Sequence, residues 1–407
     1  MAVYNEDDKM KTNLKAYTDA IAKSQGLTTY KCDIKNLSAV QSLGIKTEVD
    51  IKGETVNGEK EINLFVKSKP VDDENNIKFI SINDVYSREL YAYKDLSDIY
   101  RQLQEKANIP LKDRYRFIHV YEESDTDTII MDNIAKKGFV NCHRCEIISL
   151  DCAKACIKQL ARFHSLSFVL ENEMLDYFNC NIKLLKYPLI YNEEYVTFLN
   201  NAYERCHNLL GDEYKMKLEN IRNICERYYH YVNNDSVIRC LCHGDYTAQN
   251  IMMKSIDGKS TEVIPLDYQF IFYGSPVLDI IYLIFGTTDR DFRKDHLEDL
   301  KNVYHDTMKV FFSYFKMDIN LHYPRKEFDK AFEESLEFVL MFSVWYLPKH
   351  LADENEVLNL NKTSLDYANI INDRVKSRLE GIIDDLTEWG VFDKNVEESK
   401  TTTNVSE

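Results

Sequence analysis

The spacing in this sequence that best suggests chemistry is an aspartate, Asp245, followed five positions later by an asparagine, Asn250. A second aspartate, Asp267, ends an apolar run further along the chain. Phosphoryl transfer needs one carboxylate that orients an acceptor hydroxyl and accepts its proton, and oxygen ligands that hold Mg²⁺ on a nucleotide triphosphate. The pattern therefore predicts Asp245 as a catalytic base and Asn250 and Asp267 as Mg²⁺ ligands.

The flanking sequence strengthens this interpretation, because a His-Gly-Asp triplet by itself is more often only a tight turn. Short apolar segments at Arg239–Cys242 and Ile251–Met253 enclose the motif, as a strand–loop–strand unit requires. Asp257-Gly258 then indicates a hairpin turn before the apolar run Val263–Leu266 that leads to Asp267. Together these signals favour a catalytic loop over an isolated turn.

The segments His243–Met253 and Ile264–Asp279 resemble the ecdysteroid kinase-like family, also called choline-kinase-like proteins. This family shares a two-lobed fold with aminoglycoside phosphotransferases and, more remotely, with protein kinases, whose catalytic loop has Asp and Asn at the same spacing. The resemblance implies ATP and Mg²⁺ as cofactors. It also implies that His243 and Asp279 support the catalytic loop from behind, although Asp279 could instead satisfy backbone N–H groups at a helix start.

Two charged residues far apart in the chain are expected to position ATP. Lys67 follows an apolar triplet and precedes Pro70, as in the family's lysine strand, and is preferred here to the nearby Lys69. Glu89 lies in an apolar and aromatic helical stripe, where a carboxylate needs a cationic partner. We expect Lys67 and Glu89 to form an ion pair within about 4 Å, the usual limit for such a contact.

A third family feature, the hinge that holds adenine, is matched by Asp132, Asn133 and Ile134, followed by Gly138-Phe139. These residues are assigned to cofactor binding through the backbone. They also set the expected division of the chain into an ATP-binding lobe (1–131), a hinge with a helical catalytic and substrate lobe (132–394), and a disordered tail (395–407).

One departure from the family concerns the glycine-rich loop that covers the phosphates of ATP. The corresponding segment, Leu37–Gly44, has Gly44 as its only glycine. Glycine allows the backbone to approach a phosphate closely. The contact of this loop with ATP is therefore left open.

The predicted elements form an α+β fold of the two-lobed, protein-kinase-like kind, with a small antiparallel-sheet N-terminal lobe that carries a helix and a larger, mainly helical C-terminal lobe. In the N-terminal lobe we expect helices within 1–30 and at 82–100, and strands at 47–51, 61–67, 117–121 and 128–131. From Leu150 onward helices dominate, and His164 on an apolar helix face is interpreted as structural. Trp345 and Tyr346 either line an acceptor pocket or belong to the core.

The bulk composition of the 407-residue chain excludes several classes of function. A formal net charge of −16 argues against a nucleic-acid surface or an anionic membrane surface. The acidic start has no signal-peptide pattern, and no long apolar run suggests a membrane span, so a cytoplasmic protein with reduced cysteines is predicted. Cys142 and Cys145 have no second pair at zinc spacing, so zinc is not predicted. A monomer is expected.

The predicted function is an ATP-dependent kinase that transfers the γ-phosphoryl group to an alcohol hydroxyl of a small molecule. The resemblance favours an ecdysteroid, or a related steroid or xenobiotic alcohol. Two alternatives stay open: a choline- or aminoglycoside-type kinase, and a kinase-like binding protein that does not transfer phosphate.

Overall fold

The computed structural model describes residues 6–37, 43–70, 78–142, 145–219, 224–256, 260–352 and 372–393. The predicted turn at 257–258, most of the glycine-poor loop and the predicted disordered tail at 395–407 lie outside these residues. Among the described residues, no helix is both long and apolar enough to cross a membrane.

The N-terminal lobe is built on one four-stranded antiparallel sheet in the order β1-β2-β3-β4. Its elements are α1 (Glu6–Ser24), β1 (Thr29–Leu37), β2 (Ile45–Thr55), β3 (Gly58–Ser68) and β4 (Thr128–Asp132). Alternate residues such as Val49 and Leu64 are fully buried on the face that packs against Leu14 and Ile21 of α1. The other face, which includes Lys67, turns towards the C-terminal lobe.

The helix predicted at 82–100 is longer than expected and is interrupted. α2 (Ile82–Tyr91) begins at Ser81, whose side chain accepts a hydrogen bond from the Asp84 backbone N–H. It continues through a π-helical turn at Ala92–Leu96 into α3 (Ser97–Lys106). π-turns inside helices occur often at functional sites, and here the turn follows the helix that carries Glu89.

In this lobe one strand was missed and one prediction was wrong. β1 was not anticipated, and the predicted strand at 117–121 is not one, because it contributes only a single bridge, from Val120 to Met131.

The C-terminal lobe is mainly helical, with short strands around the predicted catalytic loop. Its strands are β5 (Val140–Asn141), β6 (Cys240–Cys242), β7 (Ile251–Ile256), β8 (Ser260–Pro265) and β9 (Phe272–Gly274). Its helices are α4 (Leu150–Glu173), α5 (Leu175–Asn181), α6 (Glu193–Leu209), α7 (Asp212–Glu219), α8 (Ile224–Val232), α9 (Pro276–Thr287), α10 (Arg290–Tyr314), α11 (Ile319–His322), α12 (Arg325–Glu334), α13 (Leu336–His350) and α14 (Asp373–Glu388).

Pairing of the short strands places the predicted site residues close together. β6 pairs with β9, and β7 pairs with β8, so the chain between β6 and β7 forms a loop that contains Asp245 and Asn250. Asp267 follows directly after β8, and the backbone N–H of Leu266 donates to the carbonyl of Asn250 at 2.7 Å. The α+β, two-lobed, protein-kinase-like fold predicted from the sequence is confirmed.

Candidate active site

The ion pair predicted between Lys67 and Glu89 is present. The Lys67 ammonium lies 2.8 Å from the Glu89 carboxylate, and the two side chains are only 4% and 1% exposed. Lys67 also contacts Asp267 of the other lobe at 2.9 Å. The competing candidate, Lys69, instead bonds Asn83 and Asp127 at the surface.

These contacts set the charge states of Lys67 and Asp267. Burial by itself lowers the pKa of Lys67, but attraction to Asp267 and Glu89 outweighs it, so the pKa of Lys67 is raised. Burial likewise raises the pKa of Asp267, but the attraction of Lys67 and Lys46 reverses this, and the pKa of Asp267 is lowered. Both groups are therefore charged at neutral pH.

The predicted catalytic loop holds Asp245 and Asn250 in direct contact. Asn250 is the last residue of a short 3₁₀ turn, Ala248–Asn250, and its amide Nδ2 donates to the Asp245 carboxylate at 2.8 Å and to the Asp245 carbonyl at 3.0 Å. Asp245 is half-buried. Burial raises its pKa to about 6, although the nearby charge of Lys349 acts in the opposite direction.

Behind the loop, the fully buried Asp279 contacts the backbone at its start. Its two carboxylate oxygens accept the backbone N–H groups of His243 at 2.6 Å and Gly244 at 2.8 Å. Asp279 is in the first turn of α9, but its carboxylate bonds this loop and not the start of its own helix. The contacts are those that the family resemblance implied for Asp279.

Two histidines complete this support. The ring Nε2 of His243 bonds the Leu266 carbonyl at 3.0 Å, which ties the loop to the chain before Asp267. The ring of His164 bonds both Asp279, at 3.0 Å, and Tyr304, at 2.7 Å. His164 lies near Cys240 and Cys242, but both its nitrogens are already hydrogen-bonded, which agrees with the structural role expected for it.

Backbone conformation around the site is unusual at two positions. Asp267 has a left-handed φ of +67°, and its N–H is held by the Tyr93 hydroxyl at 3.1 Å. Non-glycine residues in this region are uncommon and concentrate at functional sites. Gly244 has φ +79°, and a Cβ atom there would overlap the carbonyl of Phe270. Only glycine fits this position without a shift of the loop.

The donor atoms at Asn250 and Asp267 suit Mg²⁺. The amide nitrogen of Asn250 is engaged by Asp245, which leaves its carbonyl oxygen for other use. Lys67 bonds one carboxylate oxygen of Asp267, and within the described part of the chain nothing donates to the other. Amide and carboxylate oxygens are the ligands that this ion prefers, so the residues fit it.

Two cavities meet at Asn250 and Asp267. The first, which we call the nucleotide cavity, has about 770 Å³ of empty space and is lined by Lys67, Glu89 and the predicted hinge Asp132–Ile134. The second, the acceptor cavity, has about 1280 Å³ and includes Asp245, Trp345 and Tyr346 in its lining. Trp345 and Tyr346 thus line a cavity and also pack in the hydrophobic core, so both interpretations of these residues apply.

At the hinge, the backbone N–H groups of Asp132 and Asn133 are already used. They donate to the carbonyls of His119 and Asn63 at 3.0 and 2.8 Å. The Asn133 side chain donates to Glu48 at 3.2 Å. Adenine bound here would use other backbone groups of the segment.

Sequence reasoning missed two lysines of the site. Lys46, on β2, lines both cavities, and Lys349, at the end of α13, lines the acceptor cavity near Asp245. Burial lowers the pKa of Lys46 more than the attraction of Asp267 raises it. The sequence signal for Lys46 was its position two residues after Gly44, whereas nothing local marked Lys349.

Gly44, the glycine left in the glycine-poor loop, has a packing role. A Cβ atom on Gly44 would overlap the hydroxyl of Tyr86 and the carbonyl of Ser68. This glycine is therefore required by contacts within the N-terminal lobe.

Comparison with known proteins gives one family match. The sequence model of the ecdysteroid kinase-like family matches residues 40–317. A comparison with curated protein sequences finds no significant match.

Several solved structures match the chain at low sequence identity. An ethanolamine kinase from Plasmodium vivax is 12% identical with a TM-score of 0.42, covering 89% of this chain and 83% of its own. A microcompartment-associated aminopropanol kinase is 13% identical with a TM-score of 0.38, covering 90% and 94%. The GDP complex of an aminoglycoside 2'-phosphotransferase is 10% identical with a TM-score of 0.39, covering 87% and 96%. All three TM-scores are below 0.5, so the family assignment depends on the sequence match.

Proposed function

The chain belongs to the ecdysteroid kinase-like family, and from that premise we propose that it transfers the γ-phosphoryl group of ATP to a hydroxyl group of a small molecule. The observation that carries the proposal is the meeting of the two cavities at Asn250 and Asp267, with Asp245 on the acceptor side of this junction. A phosphate donor and a hydroxyl acceptor held in adjacent cavities are brought into contact at that point.

In this proposal each residue has a distinct task. Asp245 orients the acceptor hydroxyl and accepts its proton, as the aspartate of a kinase catalytic loop does. Lys67, fixed by Glu89, binds the phosphates of the nucleotide. Asn250 and Asp267 would hold Mg²⁺, which supplies positive charge to the phosphates. Asp279 and His243 keep the loop backbone in place.

The acceptor cavity supports an apolar alcohol as the substrate. The apolar part of its lining is largely aromatic: Phe79, Tyr187, Tyr195, Phe198, Phe270, Trp345 and Tyr346. Among its described lining residues the acidic ones are Asp245 and Asp267, both assigned above, while Lys46 and Lys349 add positive charge. A polycationic aminoglycoside would meet two lysines and no spare carboxylate, and choline, although aromatic faces attract a quaternary ammonium group, would meet the same two positive charges. We therefore propose a neutral steroid or xenobiotic alcohol, with an ecdysteroid as the leading candidate.

We place the boundary between the lobes at the end of β4, with adenine bound at Asp132–Ile134. The ATP-binding lobe is then 1–131 and the catalytic lobe 132–394. The cytoplasmic location and the monomeric state of the protein stay predictions from the sequence.

The test is to incubate the full chain and its Asp245→Asn variant with ATP, Mg²⁺ and separate panels of acceptors. The panels are ecdysteroids and other neutral steroid and xenobiotic alcohols, then choline and ethanolamine, then aminoglycosides. Phosphorylated products are detected by mass spectrometry. We expect product from the first panel, and turnover about 10²–10⁴-fold lower in the variant because the base is lost.

Product from only the cationic panels would replace the proposed acceptor class with the alternative. ATP binding without product from any panel would favour a kinase-like binding protein. Wild-type turnover by the Asp245→Asn variant would refute the assignment of the base.

A further inference from the structure

Lys46 is a cation of the N-terminal lobe that the mechanism above does not use. It is the second residue of β2, and its antiparallel partner in the strand register is Lys67 of β3. Along β2, Lys46 and Glu48 alternate with the buried Thr47 and Val49. Lys46 and Glu48 belong to the face that lines the nucleotide cavity. Lys46 therefore projects beside Lys67, on the nucleotide side of the sheet.

Lys46 lies where the two cavities meet, whereas Lys67 lines only the nucleotide cavity. The nucleotide and acceptor cavities share four described lining residues: Lys46, Gln249, Asn250 and Asp267. Two of these are the assigned Mg²⁺ ligands, and Gln249 is the neighbour of Asn250. A phosphoryl group in transit between the cavities must pass this junction, and Lys46 reaches it from the sheet.

Within the described part of the chain, the ammonium of Lys46 also lacks a fixed partner. Lys67 is held by Glu89 and Asp267 at 2.8 and 2.9 Å. No described residue forms a hydrogen bond or ion pair with Lys46, although the charge of Asp267 attracts it. A half-buried charge without a hydrogen-bonding partner is unfavourable, and here it is aimed at the place where phosphate charge would lie.

We propose that Lys46 binds the terminal (γ) phosphoryl group of ATP and replaces part of the contact that a glycine-rich loop would provide. The inference rests on the proposed function. It accounts for the loss of glycines from the segment just before β2, because a lysine reaches a phosphate through its side chain and needs no close backbone approach. The presence of Gly44, two residues earlier, is explained by its packing against Tyr86 and does not require a phosphate contact.

The experiment measures binding, without turnover, of ATP, ADP and AMP to the full chain in the presence of Mg²⁺ by isothermal titration calorimetry. The variants are Lys46→Met, Lys46→Arg and, as a matched control, Lys52→Met. Lys52 is also on β2 but is exposed and paired with Glu61 at 3.2 Å, outside both cavities.

Loss of a charge-assisted hydrogen bond should weaken ATP binding by Lys46→Met about 10- to 100-fold. ADP binding should fall less and AMP binding should not change, because the lost contact is to the terminal phosphoryl group. Lys46→Arg should retain most of the ATP affinity, and Lys52→Met should match the wild type. Unchanged AMP binding also shows that the Lys46→Met variant is folded.

Two outcomes would overturn the inference. If the wild type prefers ATP to AMP and Lys46→Met keeps the same preference, Lys46 does not bind the terminal phosphoryl group, while the proposed function is unaffected. If the wild type binds none of the three nucleotides, the proposed function and the role of Lys46 both fail.

Discussion

At the scale of single residues, the charge state of Asp245 decides when the proposed base can act. Partial burial of its carboxylate raises the pKa to about 6, while Lys349 limits the rise. A base with a pKa near the working pH accepts a proton more readily than an ordinary carboxylate and is still mostly ionised at pH 7. The burial of Asp245 thus favours proton transfer.

This environment leads to a prediction of pH dependence. The carboxylate is the active form, and its pKa is raised to about 6, so activity should be present above that pH and lost as pH falls through it. We expect kcat/KM, which reports the free enzyme, to decrease about tenfold per unit below the midpoint. The measurement is a pH profile from 4.5 to 8.5, with protein stability checked at each pH.

The Asp245→Asn variant is the control, because its residual activity should lack this acidic limb. A wild-type midpoint near 4, the range of an unperturbed carboxyl group, would show that burial does not tune Asp245. The base would then need reassignment.

At the scale of elements, the position of the catalytic loop depends on one glycine. Gly244 has φ +79° and lies against the carbonyl of Phe270, at the point where Asp279 holds the loop. Gly26, after α1, has the same φ of +79° but no atom within 4 Å of the position a Cβ would take. Substitutions at these two glycines therefore separate the energetic cost of a left-handed backbone conformation from the cost of steric overlap.

We therefore predict different results for Gly244→Ala and Gly26→Ala. Gly26→Ala should lower the free energy of unfolding by about 1–2 kcal/mol, the cost of a left-handed conformation, and leave turnover unchanged. Gly244→Ala should cost more and also reduce turnover, because the loop must shift and carry Asp245 with it. Chemical denaturation and steady-state kinetics measure the two effects. Equal destabilisation with unchanged turnover in both would contradict the role of Gly244.

The elements that were predicted well are those whose burial has a simple period. β3 alternates buried and half-buried residues, and the helix with Glu89 has one apolar face, so both could be inferred from the sequence. β1 is exposed along almost its whole length and has no such alternation. In the segment 117–121, the apolar residues Ile118 and Tyr121 are buried by tertiary contacts, but they lie three positions apart and the segment forms no strand.

At the scale of the whole molecule, the acceptor cavity shows why the rest of the site could not be predicted. Its wall combines Lys46, Phe79, Tyr187 and Lys349, which come from segments far apart in the chain. None has a motif, and an aromatic residue on a helix is more often core. The proposed catalytic residues Asp245 and Asn250 have a fixed local spacing and could be found, whereas the cavity exists only after the lobes have packed together.

The contact between Lys67 and Asp267 joins the two lobes at the nucleotide cavity. A nucleotide bound there would contact both residues, so its binding should change the stability of the folded protein. A ligand that binds only the folded state stabilises it by about 2.7 kcal/mol when present at 100 times its Kd. If Asp267 is a Mg²⁺ ligand, part of that stabilisation depends on the ion. Asp267→Ala also breaks the contact with Lys67, so the informative quantity is the increment caused by Mg²⁺.

We predict that adding Mg²⁺ to the ATP-bound wild type raises the midpoint of thermal unfolding, and that Asp267→Ala removes this increment while ATP without Mg²⁺ still stabilises the variant. The control is Asp127→Ala, which removes a carboxylate of the N-terminal lobe that pairs with Lys69 at 2.9 Å, outside both cavities. This control should keep the full response, because its charge is remote from the phosphates. A Mg²⁺ increment of wild-type size in Asp267→Ala would mean that the ion is held without Asp267, and the assignment of the metal ligands would have to be abandoned.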